Sequence, residues 1–137
     1  MSALTADFDS SIKNVRATQS YIAATGTVIY AGGLVQINAS GLAIAALGGS
    51  NLKIVGRART SLDGTEAALS TVTAEEGDVI MNLDATNPPA QANIGAIVYA
   101  TSDNEVGTSA GANAKAGVLV AIEGSQARVR VTLEATI

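Results

Sequence analysis

Hydrophobic residues occur along this chain in short runs that are separated by glycine, asparagine or serine. Clear examples are residues 28–30, 34–37, 42–44 and 52–55, and the run at 118–122 is apolar throughout, as expected of a strand covered on both faces. Short runs rich in valine and isoleucine, bounded by turn-forming residues, are typical of β-strands. We therefore predict an all-β fold, a compact single-domain β-barrel or β-sandwich of about eight to ten short strands with an N-terminal arm.

The period of two that marks a half-buried strand is clearest near the C-terminus. Val129, Val131 and Leu133 alternate there with polar residues, among them Arg128 and Arg130. Successive side chains of a strand point to opposite faces. The alternation therefore predicts a strand with an apolar row on one face and a cationic row on the other.

Two regions depart from the strand pattern. Residues 1–20 are predicted to form the arm, and residues 21–137 the β domain. The arm carries apolar residues at helical spacing: Leu4, Phe8, Ile12 and Val15. A helix would place them on one face, while an extended arm would order only against a partner; in either form we predict a docking stripe. The polar stretch at 101–115 is compatible with a long mobile loop or with a short strand near Val106.

The composition argues against several classes of function. The chain has no histidine, cysteine or tryptophan, and 3% of its residues are aromatic. It therefore lacks the imidazole and thiol groups of most acid–base and nucleophilic catalysts and the usual ligands of zinc and iron. We predict no catalytic residue, no cofactor, no metal site and no small-molecule substrate. The absence of cysteine is also typical of proteins made in a reducing compartment.

The charge balance and the hydropathy pattern bear on partners and location. Eight basic residues against twelve acidic ones give a net charge of −4, so no cationic surface for nucleic acid is expected. No segment approaches the ~18 unbroken apolar residues of a membrane span, and the start of the chain does not resemble a secretory signal. We expect a chain made in the cytoplasm that binds neither nucleic acid nor membrane.

Three acidic clusters could offer oxygen ligands to calcium, but none has the spacing of a calcium-binding loop. These clusters are residues 63–66, 75–78 and 103–105. We predict that they are solvated turns, because aspartate and asparagine favour turns. An alternative is a hydrolase that uses carboxylates alone, with Glu75, Glu76 or Asp78 as the catalytic group.

Two arginine pairs are each separated by one apolar residue. Arg57 and Arg59 form the first pair, and Arg128 and Arg130 the second. On strands, each pair would project from one face. They are either ordinary exposed charges or partners of carboxylates across a subunit boundary, where arginine is over-represented. The second interpretation predicts that all four are subunit contacts.

An ordered series of short motifs runs through the chain. The motifs are MSALTAD at 1–7, VIYAGGLV at 28–35, NASG at 38–41, VGRA at 55–58, EGD at 76–78, IG at 94–95, VY at 98–99, DNEV at 103–106 and AGV at 116–118. In this order they resemble the small head-decoration, or cement, proteins of tailed bacteriophages and related prophages, including Mu-like ones. The resemblance spans most of the chain.

The resemblance implies a β-rich structural protein of the virion that forms a homotrimer on the outer surface of the capsid. There it would clamp neighbouring major capsid proteins against the pressure of packaged DNA, and it would carry no catalytic residues. The alternative is a carbohydrate-binding or adhesin-like β module displayed on a virion or cell surface. The scarcity of aromatic residues counts against a sugar-binding platform.

Overall fold

The computed structural model describes residues 4–7, 17–50, 52–63 and 70–133. This part of the chain forms eleven β-strands and a short 3₁₀ helix at Gln91–Asn93. The strands are β1 (Ala17–Ala23), β2 (Val28–Ile29), β3 (Leu34–Ile37), β4 (Ala43–Ala45), β5 (Ile54–Ala58), β6 (Leu62–Asp63), β7 (Ser70–Leu83), β8 (Ile97–Ala100), β9 (Glu105–Gly107), β10 (Ala114–Glu123) and β11 (Gln126–Val131). The predicted all-β class is confirmed.

Nine of the strands form one sheet that closes on itself twice. β1, β4, β3, β5 and β7 close the N-terminal ring, because β1 pairs with both β4 and β7. β7, β11, β10, β8 and β9 close the C-terminal ring, because β9 pairs with both β8 and β7. β2 and β6 form a separate two-stranded ribbon. The architecture is thus a compact, barrel-like single domain in which two rings share β7.

β7 belongs to both rings because its two halves have different partners. It is 14 residues long. Residues 70–76 pair with β1 along its whole length, whereas residues 77–82 pair with β11. The change of partner falls between Glu76 and Gly77, and the two rings meet there.

Each ring encloses its own hydrophobic core, and β3 and β5 contribute side chains to both. Leu34 and Ile54 pack into the core of the C-terminal ring. Their neighbours Val35 and Val55 pack into the core of the N-terminal ring. A strand that is buried on both faces has consecutive apolar residues rather than alternating ones. Because β3 and β5 lie between the two cores, each has two consecutive apolar residues, Leu34–Val35 in β3 and Ile54–Val55 in β5.

The prediction that the acidic clusters are solvated turns is wrong for residues 75–78, which lie inside β7. Glu75 is 9% exposed and Asp78 is 2% exposed. It is also wrong for Asp103, which is 2% exposed in the connection between β8 and β9. The physical reason is that each carboxylate receives hydrogen bonds from residues far away in the sequence, as described below.

Other sequence predictions can be placed on this fold. Val129 and Val131 are buried in β11, as the alternation predicts. Val106 lies in β9, which confirms the short-strand alternative for residues 101–115. The predicted boundary of the arm after residue 20 falls inside β1, because β1 already pairs with β7 from Ala17 onward.

Two glycines allow neighbouring strands to approach more closely than a side chain would permit. A Cβ atom on Gly56 would lie 2.7 Å from the carbonyl oxygen of Glu75 in β7. A Cβ atom on Gly117 would overlap the carbonyl oxygen of Arg130 in β11. Both glycines lie beside register shifts of the ladder, in the β3–β5 and β8–β10 pairings respectively. They are therefore points at which the sheet bends to close its rings.

We predict that Gly56→Ala destabilises the protein by about 3 kcal/mol or more, since the new methyl group must push β5 away from β7 and the residue has φ +150°. The matched control is Gly124→Ala, which has φ +64° but open space around it and should cost about 1 kcal/mol. Urea denaturation of both variants measures the difference. Equal costs for the two variants would contradict the close-approach explanation.

Candidate functional site

The acidic cluster of β7 forms ion pairs with the strands on either side. Glu75 Oε1 lies 3.0 Å from Arg57 Nη1 of β5, and these two side chains are 11% and 16% exposed. Asp78 accepts two hydrogen bonds from Arg130 of β11, at 2.8 Å from Nε and 3.2 Å from Nη2. Paired charges of this kind satisfy carboxylates that would be costly to bury alone. The cluster thus joins β5, β7 and β11 where the two rings meet.

Glu76, which lies between those two acids, also has a structural partner. Its Oε1 accepts a hydrogen bond of 2.7 Å from the backbone N–H of Leu133, just beyond β11. Successive residues of a strand point to opposite faces, so Glu75 lies on one face of β7, and Glu76 and Asp78 lie on the other. The carboxylates named for the alternative hydrolase therefore hold strands together in this structure.

The four arginines predicted as subunit contacts have different surroundings. Arg57 and Arg130 form the pairs just described, and Arg128 Nη2 lies 2.6 Å from Glu123 Oε2. Arg59 is exposed and forms no ion pair with the described residues. Three of the four guanidinium groups thus have carboxylate partners within the chain. Contacts of these arginines across a subunit boundary stay a prediction.

Residues 4–7, which we call the strap, lie against the β domain. The Leu4 N–H donates a hydrogen bond of 2.9 Å to Asp103 Oδ1. Leu4 Cδ1 lies 2.9 Å from the position that a Cβ of Gly33 would occupy, so the leucine side chain rests directly on this glycine. Leu4 of the predicted docking stripe is therefore in contact with its own domain. The rest of that stripe lies outside the described residues: Phe8, Ile12 and Val15.

The other end of the strap contacts the β2–β6 ribbon. Asp7 Oδ1 accepts hydrogen bonds from the Ala31 N–H, at 3.2 Å, and from the Ser61 hydroxyl. The Ala31 N–H is shared, because it also lies 3.2 Å from Ser61 Oγ. A groove of about 590 Å³ lies between the strap and the ribbon, lined by residues 5–7, 28–30 and 61–63. Its walls are mainly apolar, and Tyr30 is the aromatic residue among them.

A buried glutamine organises a surface loop on another part of the domain. Gln36 of β3 has no exposed surface. Its Nε2 donates to the carbonyl oxygens of Ser50, at 2.9 Å, and Leu52, at 3.0 Å, and its Oε1 accepts from the Leu47 N–H at 3.3 Å. The buried amide thus uses both donors and its acceptor to fix one loop.

We call this segment, residues 46–52, the leucine loop; residue 51 is outside the described part of the chain. Leu47 is 51% exposed and Leu52 is 36% exposed. The loop is also held from a second side, because Asn113 Oδ1 accepts a hydrogen bond of 2.7 Å from the Gly49 N–H. The loop contains no charged residue. It therefore presents two leucines to solvent on a backbone that is fixed from within, which is a favourable arrangement for protein contact.

The described residues contain no group of three or more histidine, cysteine, aspartate or glutamate side chains that could hold a metal ion. Within the same part of the chain, no helix has the length and apolar character needed to cross a membrane. Comparisons with protein-family models, curated proteins and solved structures give no significant match to this chain. Its candidate sites are therefore defined by its own residues.

Sequence reasoning missed the roles of Gln36 and Asp103. A signal for Gln36 was available, because it interrupts the apolar run at 34–37, and a polar residue inside a buried strand must find hydrogen-bond partners. Asp103 gave no such signal, since its sequence neighbours are those of an ordinary turn.

We predict that Arg57→Met lowers the free energy of unfolding by about 2–3 kcal/mol, because it leaves the Glu75 carboxylate nearly buried without its cation. Arg59→Met is the matched control and should change stability by less than about 0.5 kcal/mol. Chemical denaturation at neutral pH measures both values. Similar effects of the two variants would show that the Arg57–Glu75 pair contributes little.

We predict a pH-dependent difference between the wild type and Asp103→Asn. Burial raises the pKa of the Asp103 carboxyl above its ordinary value of 3.8, Glu105 adds to this shift and the Leu4 amide opposes it. Because the pKa is higher in the folded state than in the unfolded state, the free energy of unfolding decreases as the pH rises from the ordinary pKa to the raised pKa. Asparagine has no carboxyl group to ionise, so the variant does not lose stability in this way. The free energy of unfolding of the variant, relative to that of the wild type, should therefore increase from pH 3 to pH 7. Denaturation midpoints of both proteins across this range would contradict the prediction if their difference stayed constant.

Proposed function

We propose that this chain is a structural protein of a tailed-phage virion that decorates and stabilises the capsid. It binds the outer surface of the major capsid protein lattice as a homotrimer, after synthesis in the cytoplasm of the bacterial host. The ordered motifs that resemble head-decoration proteins suggest this role. It requires stable folding and complementary surfaces rather than reactive side chains, which matches a chain without histidine or cysteine.

The observation that carries this proposal is the leucine loop. An exposed leucine side chain costs free energy in water that contact with another apolar surface recovers. Gln36 and Asn113 already hold residues 47, 49, 50 and 52 by hydrogen bonds, so binding would not require further ordering of the backbone at these residues. Many copies on a regular lattice also reinforce one another, so a modest contact per subunit is sufficient.

Four of the motifs contain residues that hold parts of the fold together. Gly56 of the VGRA motif and Gly117 of the AGV motif lie at the close approaches between strands. Asp78 of the EGD motif forms the ion pair with Arg130, and Asp103 of the DNEV motif receives the strap. Residues from these four motifs thus contribute to ring closure and strap attachment.

The open edge of β1 supports assembly into a homotrimer. Among the described residues, residues 17–22 pair with β7 alone, and most of their side chains are exposed. An unpaired strand edge promotes uncontrolled association unless another element covers it. In a closed trimer each subunit would cover the β1 edge of its neighbour, so none of the three edges would stay exposed.

We predict that the purified protein co-sediments with emptied heads of its parent phage and raises their resistance to heat. Replacing both loop leucines, Leu47→Ser with Leu52→Ser, should weaken binding about tenfold or more, since the buried apolar contact is lost. The matched control is Ile94→Ser, because Ile94 is 46% exposed but lies outside the loop. Sedimentation at a series of protein concentrations gives the affinities.

Failure of the wild-type protein to bind these heads would contradict the proposed function. Normal binding by the double leucine variant would instead show that the contact lies elsewhere on the molecule. In that case a chain lacking residues 2–16 tests the predicted docking stripe, because this truncation stops before β1. Reproducible hits on a glycan array, without binding to heads, would favour the carbohydrate-binding alternative.

A further inference from the structure

The strap is attached to the β domain at both of its ends. At one end, the Leu4 amide donates to Asp103, in the connection between β8 and β9. At the other end, Asp7 accepts from Ala31 and Ser61 beside the β2–β6 ribbon. The two strap residues between these anchors are exposed. The strap therefore spans two separate parts of the fold and is fixed at two points.

We infer that residues 4–7 close on the β domain as a single unit, and that the closed strap keeps Leu4 seated on Gly33 and unavailable to other molecules. This inference is independent of the proposed function. The strap is then an intramolecular device with a closed state and an open state. Opening releases the leucine side chain and uncovers the Asp103 carboxylate.

The first reason for this inference is the chemistry of the Asp103 anchor. Asp103 is 2% exposed, and a buried carboxylate without a donor is costly. The Leu4 N–H supplies a donor, in addition to the backbone amide of Asp103 itself, in a charge-assisted hydrogen bond, which is stronger than a neutral one. Asp103 itself is held in place, because its carbonyl oxygen accepts a bond of 2.7 Å from the Leu34 N–H. The anchor is thus a fixed carboxylate that gains from strap closure.

The second reason is the fit between Leu4 and Gly33. Gly33 has no Cβ, and any Cβ placed there would lie 2.9 Å from Leu4 Cδ1, which is too close for two carbon atoms. The glycine is also anchored to the sheet, since its carbonyl oxygen accepts a bond of 2.8 Å from the Ala58 N–H. The seat of the leucine is therefore a rigid surface that is shaped by the missing side chain.

The third reason is the short distance along the chain between the two anchors. When one anchor is made, the other is held nearby at a high effective concentration, so the two contacts strengthen each other. Breaking either anchor should consequently loosen both. This mutual dependence distinguishes a strap that closes as one unit from two unrelated hydrogen bonds.

The test measures amide hydrogen exchange at one anchor after the other has been removed. Asp7→Ala should accelerate exchange of the Leu4 amide about tenfold or more, although Leu4 bonds to Asp103 and not to residue 7. Asp7→Asn is the matched control, because it retains an oxygen that can accept from Ala31 and should leave the Leu4 amide nearly unchanged. Asp7 is exposed, so neither change disturbs a core.

The Val129 amide in β11 reports whether the domain remains folded, and its exchange should be unaffected in both variants. Unchanged exchange of the Leu4 amide in Asp7→Ala would overturn the inference, since the two anchors would then be independent.

Discussion

The sharing of β7 between two rings is the constraint on which the rest of the structure depends. One half of this strand closes the N-terminal ring with β1, and the other half pairs with β11 in the C-terminal ring. β3 and β5 therefore lie between two cores and must be apolar on both faces. The close approach at Gly56 and the ion pairs of the acidic cluster are further consequences, because they occur where strands of both rings meet β7.

Buried polar groups in this protein serve to fix the geometry of the surface. Gln36 determines the course of the leucine loop, and Asp103 fixes one end of the strap. In both cases a side chain with no or almost no exposed surface bonds to backbone groups of a segment that lies over it. A buried polar group is stabilising only when its partners are in place. The two surface segments are thereby held in defined positions without aromatic residues or disulfides.

The parts of the fold that could be predicted from sequence are those set by local patterning. The alternation around Val129 and Val131 marked a half-buried strand, and the glycine-bounded apolar runs marked the all-β class. The pairing of β1 with β7 was not predictable, because it joins residues that are far apart in the chain. The same limit applies to the candidate sites: the partners of Glu75, Asp78 and Asp103 come from other strands or from the strap, so the sequence around each acid resembled a solvated turn. The sequence shows Leu47 and Leu52 only as apolar residues; it does not show that they are exposed on a loop held by Gln36.

The position of β7 in the chain also has a consequence for the order of synthesis. Ribosomes produce β1 to β6 before β7 exists, so neither ring can close on the nascent chain until residues 70–83 have emerged. Closure of the C-terminal ring must wait longer still, for β10 and β11. Domains rich in long-range strand pairing fold slowly, because distant segments must be brought together before their contacts form, and their unpaired edges are exposed in the meantime. The strands of the N-terminal ring are therefore all present before those of the C-terminal ring, which is the second to become complete.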